Sequence, residues 1–137
     1  MLSIYTDGGA RNNPGPAAIG IVVQDEMGKT VFEIGKSIGF ATNNEAEYEA
    51  LIFALKWVKE NAKEAEDIYF FLDSLLVVSQ MSGRYKIKAP HIKILWQRAK
   101  TIEISLNKNV KYHLIPRDKN SRADLLLNSA LDNGKSN

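Results

Sequence analysis

The sequence predicts an α/β protein built on a mixed sheet, antiparallel at its start and parallel afterwards, with helices on its faces. Three observations carry this. The first forty residues hold three strand-like runs separated by turn residues. Beyond them, stretches with helical periodicity alternate with short apolar runs, the pattern of strands joined by helices. No internal repeat, low-complexity block or linker interrupts the chain, so residues 1–131 read as a single domain and 132–137 as a flexible tail.

Taken in order, Leu2–Thr6, Ile19–Gln24 and Thr30–Ile38 form a three-stranded meander, with turns expected at Asn12–Pro16 and Asp25–Lys29. Asn43 or Asn44 then offers an N-cap for a strong helix over Glu45–Asn61. "DIYFFLDS" is expected to be a buried strand, the most apolar in the chain, and "LLVVSQM" a short helix after it. Pro90 opens a further helix that reaches about Leu106. "VKYHLIP" is a strand stopped by Pro116, and "SRADLLLNSALD" is the last helix.

Composition narrows the function. The chain has 137 residues, 45% of them hydrophobic and 25% charged, which suits an ordinary globular domain with a real core. Without cysteine, neither a disulfide frame nor a thiolate metal site is available. No stretch resembles a secretory signal or approaches a membrane span, so a cytoplasmic protein is expected. The net charge of +2 is unevenly divided: residues 1–66 carry six basic and ten acidic side chains, residues 67–137 twelve and six. An anionic partner meeting the second half would account for this asymmetry, as would a solvated basic surface.

Four acids stand where burial is expected. Asp7 ends the first strand, and Asp73 ends the run Ile68–Leu72. Glu47 falls on the helical stripe of Leu51, Ala54, Leu55 and Val58, whereas Glu45 and Glu49 project elsewhere and look solvated. Asp124 precedes Leu127 and Leu131 by three and seven residues and so heads an inward stripe. Each has an ordinary alternative. Asp7 and Asp73 could start turns or cap helices, and Glu47 and Asp124 could complement helix dipoles. Together they are harder to dismiss, because ligands collect beyond the carboxyl ends of parallel strands. Four converging carboxylates repel one another unless cations intervene, and an all-oxygen set suits Mg²⁺ or Mn²⁺.

The segments "TDGGARNNPGPAAIG", "TNNEAEYEAL", "LDSLLVV" and "PRDKNSRADLLLNSAL", in this order, resemble ribonuclease H of type 1 from Ser3 to Leu131. The resemblance implies a five-stranded mixed sheet with helices on both sides, and hydrolysis of the RNA strand of an RNA–DNA hybrid to 5′-phosphate and 3′-hydroxyl ends. It implies that Asp7, Glu47, Asp73 and Asp124 are the catalytic, metal-binding acids for two Mg²⁺ ions, with Mn²⁺ able to substitute. It also implies that Asn13, Asn43 and Asn44 contact bases or 2′-hydroxyls, and Thr42 a phosphate of the DNA strand. The alternatives are that Asn13 serves its turn and that Thr42 or Asn43 caps the helix.

The chain departs from the family pattern in two places. Many bacterial members carry a His on the loop before the last Asp. Here 116–123 contains none, and Arg117 and Lys119 stand there instead, so Arg117 is assigned an electrostatic role toward substrate. His91 and His113 are read as structural. Many members also carry a long basic insertion after the second helix. Here "GRYKIKAPHIK" is short, which resembles compact archaeal and some bacterial stand-alone enzymes. No membrane or obligate protein partner is expected, and a monomer suffices for the chemistry. Two other readings are a non-catalytic nucleic-acid-binding module on the same fold, which would lack an acid, and a DNA-directed nuclease of the wider superfamily.

Overall fold

In the computed structural model, which describes residues 1–135, five strands form one sheet in the order β3-β2-β1-β4-β5. The strands are β1 (Leu2–Ala10), β2 (Gly15–Gln24), β3 (Thr30–Ala41), β4 (Asp67–Leu72) and β5 (Asn109–Leu114). β1, β2 and β3 pair antiparallel; β4 pairs parallel with β1 and with β5. The helices are α1 (Asn43–Asn61), α2 (Leu75–Met81), α3 (Pro90–Leu106) and α4 (Ser121–Lys135), with one 3₁₀ turn at Arg117–Asn120. The sheet directions are those the sequence predicts.

β1 runs further than expected. It passes through Asp7 to Ala10, because β2 keeps pairing with it as far as Ala10↔Ala17, with Asp7 opposite Gly20. Its pairing with β4 stops at Tyr5↔Phe71. Asp7 is therefore mid-strand on one side and already past the last rung on the other, and Asp73 follows β4 just beyond that same rung. That is where the sheet leaves room for a ligand.

α1 begins two residues earlier than expected, and its N-cap is Thr42, the alternative role weighed for that residue, rather than Asn43 or Asn44. The Glu45 amide donates to Thr42 Oγ1 at 3.1 Å and the Thr42 amide to Glu45 Oε1 at 2.9 Å, a reciprocal capping box. α1 packs its apolar stripe on the sheet through Leu51, Ala54, Leu55 and Val58, all with no exposed surface. With Ile4, Ile21, Phe70, Val77 and Ile92, from the sheet, α2 and α3, they form the main core.

α4 lies on the opposite face over β2, β3 and β1. Its apolar cluster is small: Ala18, Leu127 and Leu131, with Ala130 alongside. α4 covers β2, β3 and β1 rather than β4 and β5, so β4, expected as a buried strand, is fully buried on one face only. Ile68, Phe70 and Leu72 are buried, but Tyr69 and Phe71 are only half so. Phe71 stacks instead on Tyr5 and His113, at centroid distances of 5.0 and 5.3 Å.

The expected tail at 132–137 is also corrected in part. α4 continues to Lys135, and Asp132 pairs with Arg11 at 2.7 Å, which ties the last turn to the β1–β2 connection. The remaining two residues, 136 and 137, lie outside the described residues. No described helix is long and apolar enough to cross a membrane.

Candidate active site

Two close approaches set the positions of the acids. A side chain at Gly8 would overlap the Ala46 carbonyl of α1, and one at Gly20 the Ala123 carbonyl of α4. Glycine at these two positions lets helix backbone lie directly against strand backbone on each face. α1 then delivers Glu47 beside β1, where Glu47 Oε1 accepts from the Gly8 amide at 3.2 Å. α4 delivers Asp124 from the other face.

Asp7, Glu47 and Asp73 each offer a carboxylate oxygen within 4.8 Å of the others. Asp7 and Glu47 are 6% and 7% exposed, and Asp73 is half-buried. Burial pushes the Asp7 carboxyl up to about 7, with the charges of Asp73 and Asp124 adding to the rise against the hydrogen bond to Glu47. Burial, then the neighbouring Asp7, pushes Glu47 well above the usual carboxylate range. Burial also raises Asp73, opposed by the Asn120 hydrogen bond and by the Arg117 charge. Carboxylates held this way resist ionising together, the signature of a site suited to a cation.

Asp124 stands outside the tight triad but lines the same cleft, about 350 Å³, together with Asn43, Asn44, Arg117 and Asn128. Its Oδ1 accepts from Asn128 Nδ2 at 3.2 Å. Asp118, a second acid in the segment that carries Asp124, is exposed in the 3₁₀ turn and does not line the cleft. Glu45 serves the cap, and Glu49 bonds Arg98 of α3 at 3.0 Å; neither is as free in solvent as their register implied.

The residues predicted to touch substrate divide. Asn44 is exposed on the cleft wall. Asn43 Oδ1 accepts from the Ala10 amide at 2.8 Å, and Asn13 Oδ1 from the Asn43 amide at 2.9 Å, so both asparagines hold the rim together. Neither Asn13 nor Thr42 lines the cleft itself. Each asparagine keeps its amide NH₂ as a donor to a ligand, whereas the Thr42 hydroxyl is held between the Glu45 amide and carboxylate and has to turn to reach one. His91 and His113 are exposed and do not line the cleft.

Sequence reasoning missed two asparagines. Asn120 is 1% exposed and donates from Nδ2 to the Thr6 carbonyl at 2.9 Å and to Asp73 Oδ2 at 3.5 Å. Asn128 bonds Asp124. Their signal was spacing: they stand four residues before and four after Asp124, on one helical face.

The fold is similar to that of known proteins. A family model described as reverse transcriptase-like matches residues 5–130. LC11 ribonuclease H1, crystallised in complex with an RNA/DNA hybrid, is 45% identical with a TM-score of 0.92, covering 98% of this chain and 99% of that one. The chain belongs to the ribonuclease H family. A ribonuclease HI of Halobacterium salinarum is 41% identical over 128 residues, 93% of this chain and 63% of its own length. A bifunctional protein of Mycobacterium tuberculosis is 45% identical over 131 residues, 94% of this chain. The chain spans only 35% of that relative's length, so the ribonuclease H unit is one part of a larger protein there.

Proposed function

We propose that the protein is an endoribonuclease that hydrolyses the RNA strand of RNA–DNA hybrids with two Mg²⁺ ions, leaving 5′-phosphate and 3′-hydroxyl ends, and that it acts as a monomer in the cytoplasm. The observation that carries this reading is the close triad of Asp7 and Glu47, both buried, and half-buried Asp73, with Asp124 across the cleft. Its donor set fits divalent metal: Glu47 Oε2 is sealed from solvent and has no hydrogen-bond partner, and every other candidate ligand atom is a carboxylate oxygen. Asp7, central to the cluster, would be shared between the two ions, with Glu47 and Asp73 completing one site and Asp124 the other. When bound, divalent ions supply a nucleophilic water at neutral pH and charge stabilisation at the leaving 3′-oxygen.

The chain's own residues do the rest. The acids fix where the scissile phosphate must lie, because β1, α1 and β4 hold them before substrate arrives. Asn44, with the free amides of Asn43 and Asn13, would read 2′-hydroxyls and base edges along the minor groove. Thr42 would donate its hydroxyl hydrogen to a DNA phosphate, and Arg117 would meet the phosphate backbone from the other side of the cleft. Hybrid binding is supported by the likeness to a ribonuclease H1 solved on such a duplex. The test compares Mg²⁺-dependent cleavage of labelled hybrid with single-stranded RNA, duplex RNA and duplex DNA, and maps the ends formed. Cleavage restricted to the RNA of the hybrid supports the reading. Hybrid binding without cleavage in Mg²⁺ or Mn²⁺ would leave a binding module instead.

A further inference from the structure

We propose that Asn120 is a positioning residue for the metal site, acting through Asp73 and fixing how far Asp124 stands from the triad. The inference rests on the metal reading above and adds to it a residue that touches neither ion nor substrate. Asn120 is 1% exposed; its Oδ1 is buried without a hydrogen-bond partner, so its desolvation is offset through Nδ2 alone. Its Nδ2 uses both hydrogens. One goes to the Thr6 carbonyl at 2.9 Å, the residue after the last β1–β4 rung at Tyr5↔Phe71. The other points to Asp73 Oδ2 at 3.5 Å. One side chain thus spans the gap where β1 and β4 part, between Asp7's neighbour and the Asp73 carboxylate.

Asn120 also closes the 3₁₀ turn from which α4 starts, and Asp124 follows it by one helical turn. The strand ends and the helix carrying Asp124 are therefore joined at a single buried amide. On the α4 side, Ala123 is fully buried against Gly20 and the small cluster of Ala18, Leu127, Leu131 and Ala130 packs behind it, so the helix backbone is seated on β2 while Asn120 ties its start to the β1–β4 gap. A residue that only satisfied the Thr6 carbonyl would affect folding and leave metal affinity alone. A residue that aims Asp73 must change metal affinity, and must do so only while Asp73 is a carboxylate.

The test is a double-mutant cycle on metal binding, read by calorimetry with Mn²⁺ alone, beside steady-state cleavage across a Mg²⁺ titration. Asn120→Ala is expected to weaken Mn²⁺ binding at least fivefold, raise half-saturating Mg²⁺ by a similar factor and lower kcat about tenfold, with KM for the hybrid within twofold of wild type. In an Asp73→Asn background the same substitution should change Mn²⁺ affinity by less than twofold. Unaltered affinity in a folded Asn120→Ala, or an equal loss in both backgrounds, overturns the proposal. If Ala does not fold, Asn120→Leu fills the space and is held to the same two comparisons. A wild-type protein that binds no Mn²⁺ overturns the metal reading itself, and that outcome is distinct from wild-type binding that Asn120 fails to influence.

Discussion

The two faces of the sheet are built differently. On one, α1 and α3 cover a continuous apolar core from Ile4 and Phe70 to Val58 and Ile92, and Glu47 rises from the best-packed helix in the molecule. On the other, α4 lays Ala123 and Leu126 against Gly20 and Gly35, packs a smaller apolar cluster of Ala18, Leu127 and Leu131, and adds polar ties at its rim: Arg122 to Glu33 at 2.6 Å, Ser37 to the Ala130 carbonyl at 3.2 Å, and Arg11 to Asp132 at 2.7 Å. The acids follow the same division. Three that depend on β1, β4 and α1 meet within 4.8 Å, and the one from α4 stands apart. A well-packed core can hold like charges close together in the absence of metal, because the repulsion is opposed by many contacts that would have to break. A helix with a smaller apolar cluster cannot do as much, so its acid is the natural adjustable ligand.

The largest effect that can break this comparison is at Asp7. Asp7→Asn keeps the size of the side chain and removes the charge at the centre of the cluster. Activity should fall by at least about 10²-fold, the equivalent of several kcal/mol of lost stabilisation at the phosphate. Without metal the same variant should melt at a higher temperature than wild type, because one member of a repelling set is gone. Retention of more than a few per cent of activity would remove Asp7 from the bridging role.

Two pairs of variants sharpen the division between the faces. Glu47→Gln should cripple turnover, while Glu45→Gln and Glu49→Gln should be close to silent; Gln at 45 can still complete the capping box. Asp124→Asn should lower kcat severely and weaken the Mg²⁺ dependence, but less than Asp7→Asn does. Asp118→Asn, exposed in the 3₁₀ turn, should change little. A dead Asp118→Asn beside a healthy Asp124→Asn would reassign the fourth ligand.

The glycine contacts probe the same division without touching an acid. Gly20→Ala forces its Cβ into the Ala123 carbonyl, so α4 must lift. Overpacking of this kind costs about 1–3 kcal/mol. Half-saturating Mg²⁺ should rise as Asp124 withdraws, while Mn²⁺ binding by the triad changes less. Gly8→Ala meets Ala46 on the well-packed face and should instead lower the melting temperature and displace Glu47. Equal effects on metal binding from both variants would mean that the two faces do not differ in the way described.

The pH dependence is a smaller, cleaner signal. The Asp7 carboxyl is raised from 3.8 to about 7, so its contribution to stability is present below the lower value and is lost as pH rises through the upper one. Metal-free wild type should therefore lose stability between about pH 4 and pH 7, more steeply than Asp7→Asn. Mg²⁺ binds the ionised form, so its stabilising shift should grow over the same range. Thermal melts at several pH values, with Mg²⁺ and with chelator, check the sign. A Mg²⁺ effect that shrinks as pH rises would contradict it.

What could be read from the sequence follows from periodicity. The helix register that turned Glu47 inward and Glu45 outward needed only the spacing of Leu51, Ala54, Leu55 and Val58, and Glu47 is buried as that register requires. The position of Asp7 was misjudged as a strand end, because strand length is set by the partner, and β2 and β4 stop pairing at different residues. The half-open state of Tyr69 and Phe71 was hidden for a similar reason. An apolar run does not say whether a helix crosses far enough to cover it. Asn120 was missed because a buried asparagine and a turn asparagine look alike until the third dimension brings the Thr6 carbonyl and Asp73 to it.

The smallest expected effect is at Arg117, on the exposed turn that leads into α4. Its charge lies close enough to oppose the rise of the Asp73 carboxyl, yet the side chain itself is exposed and, among the described residues, hydrogen-bonds no acid. An exposed charge of this kind is worth at most about 1 kcal/mol, or about fivefold in rate or affinity. Arg117→Ala should therefore lower kcat/KM a few-fold in low salt. The deficit should shrink toward wild type as salt rises, since charges more than about 8 Å apart are largely screened at physiological ionic strength. Arg117→Lys keeps the charge but not the planar fork, and separates two ways the residue could act. If Lys restores cleavage, the contribution is the field along the phosphate backbone. If Lys is as poor as Ala and salt makes no difference, Arg117 grips one phosphate in a fixed geometry, and the α4 side of the cleft is more rigid than its smaller apolar cluster implies.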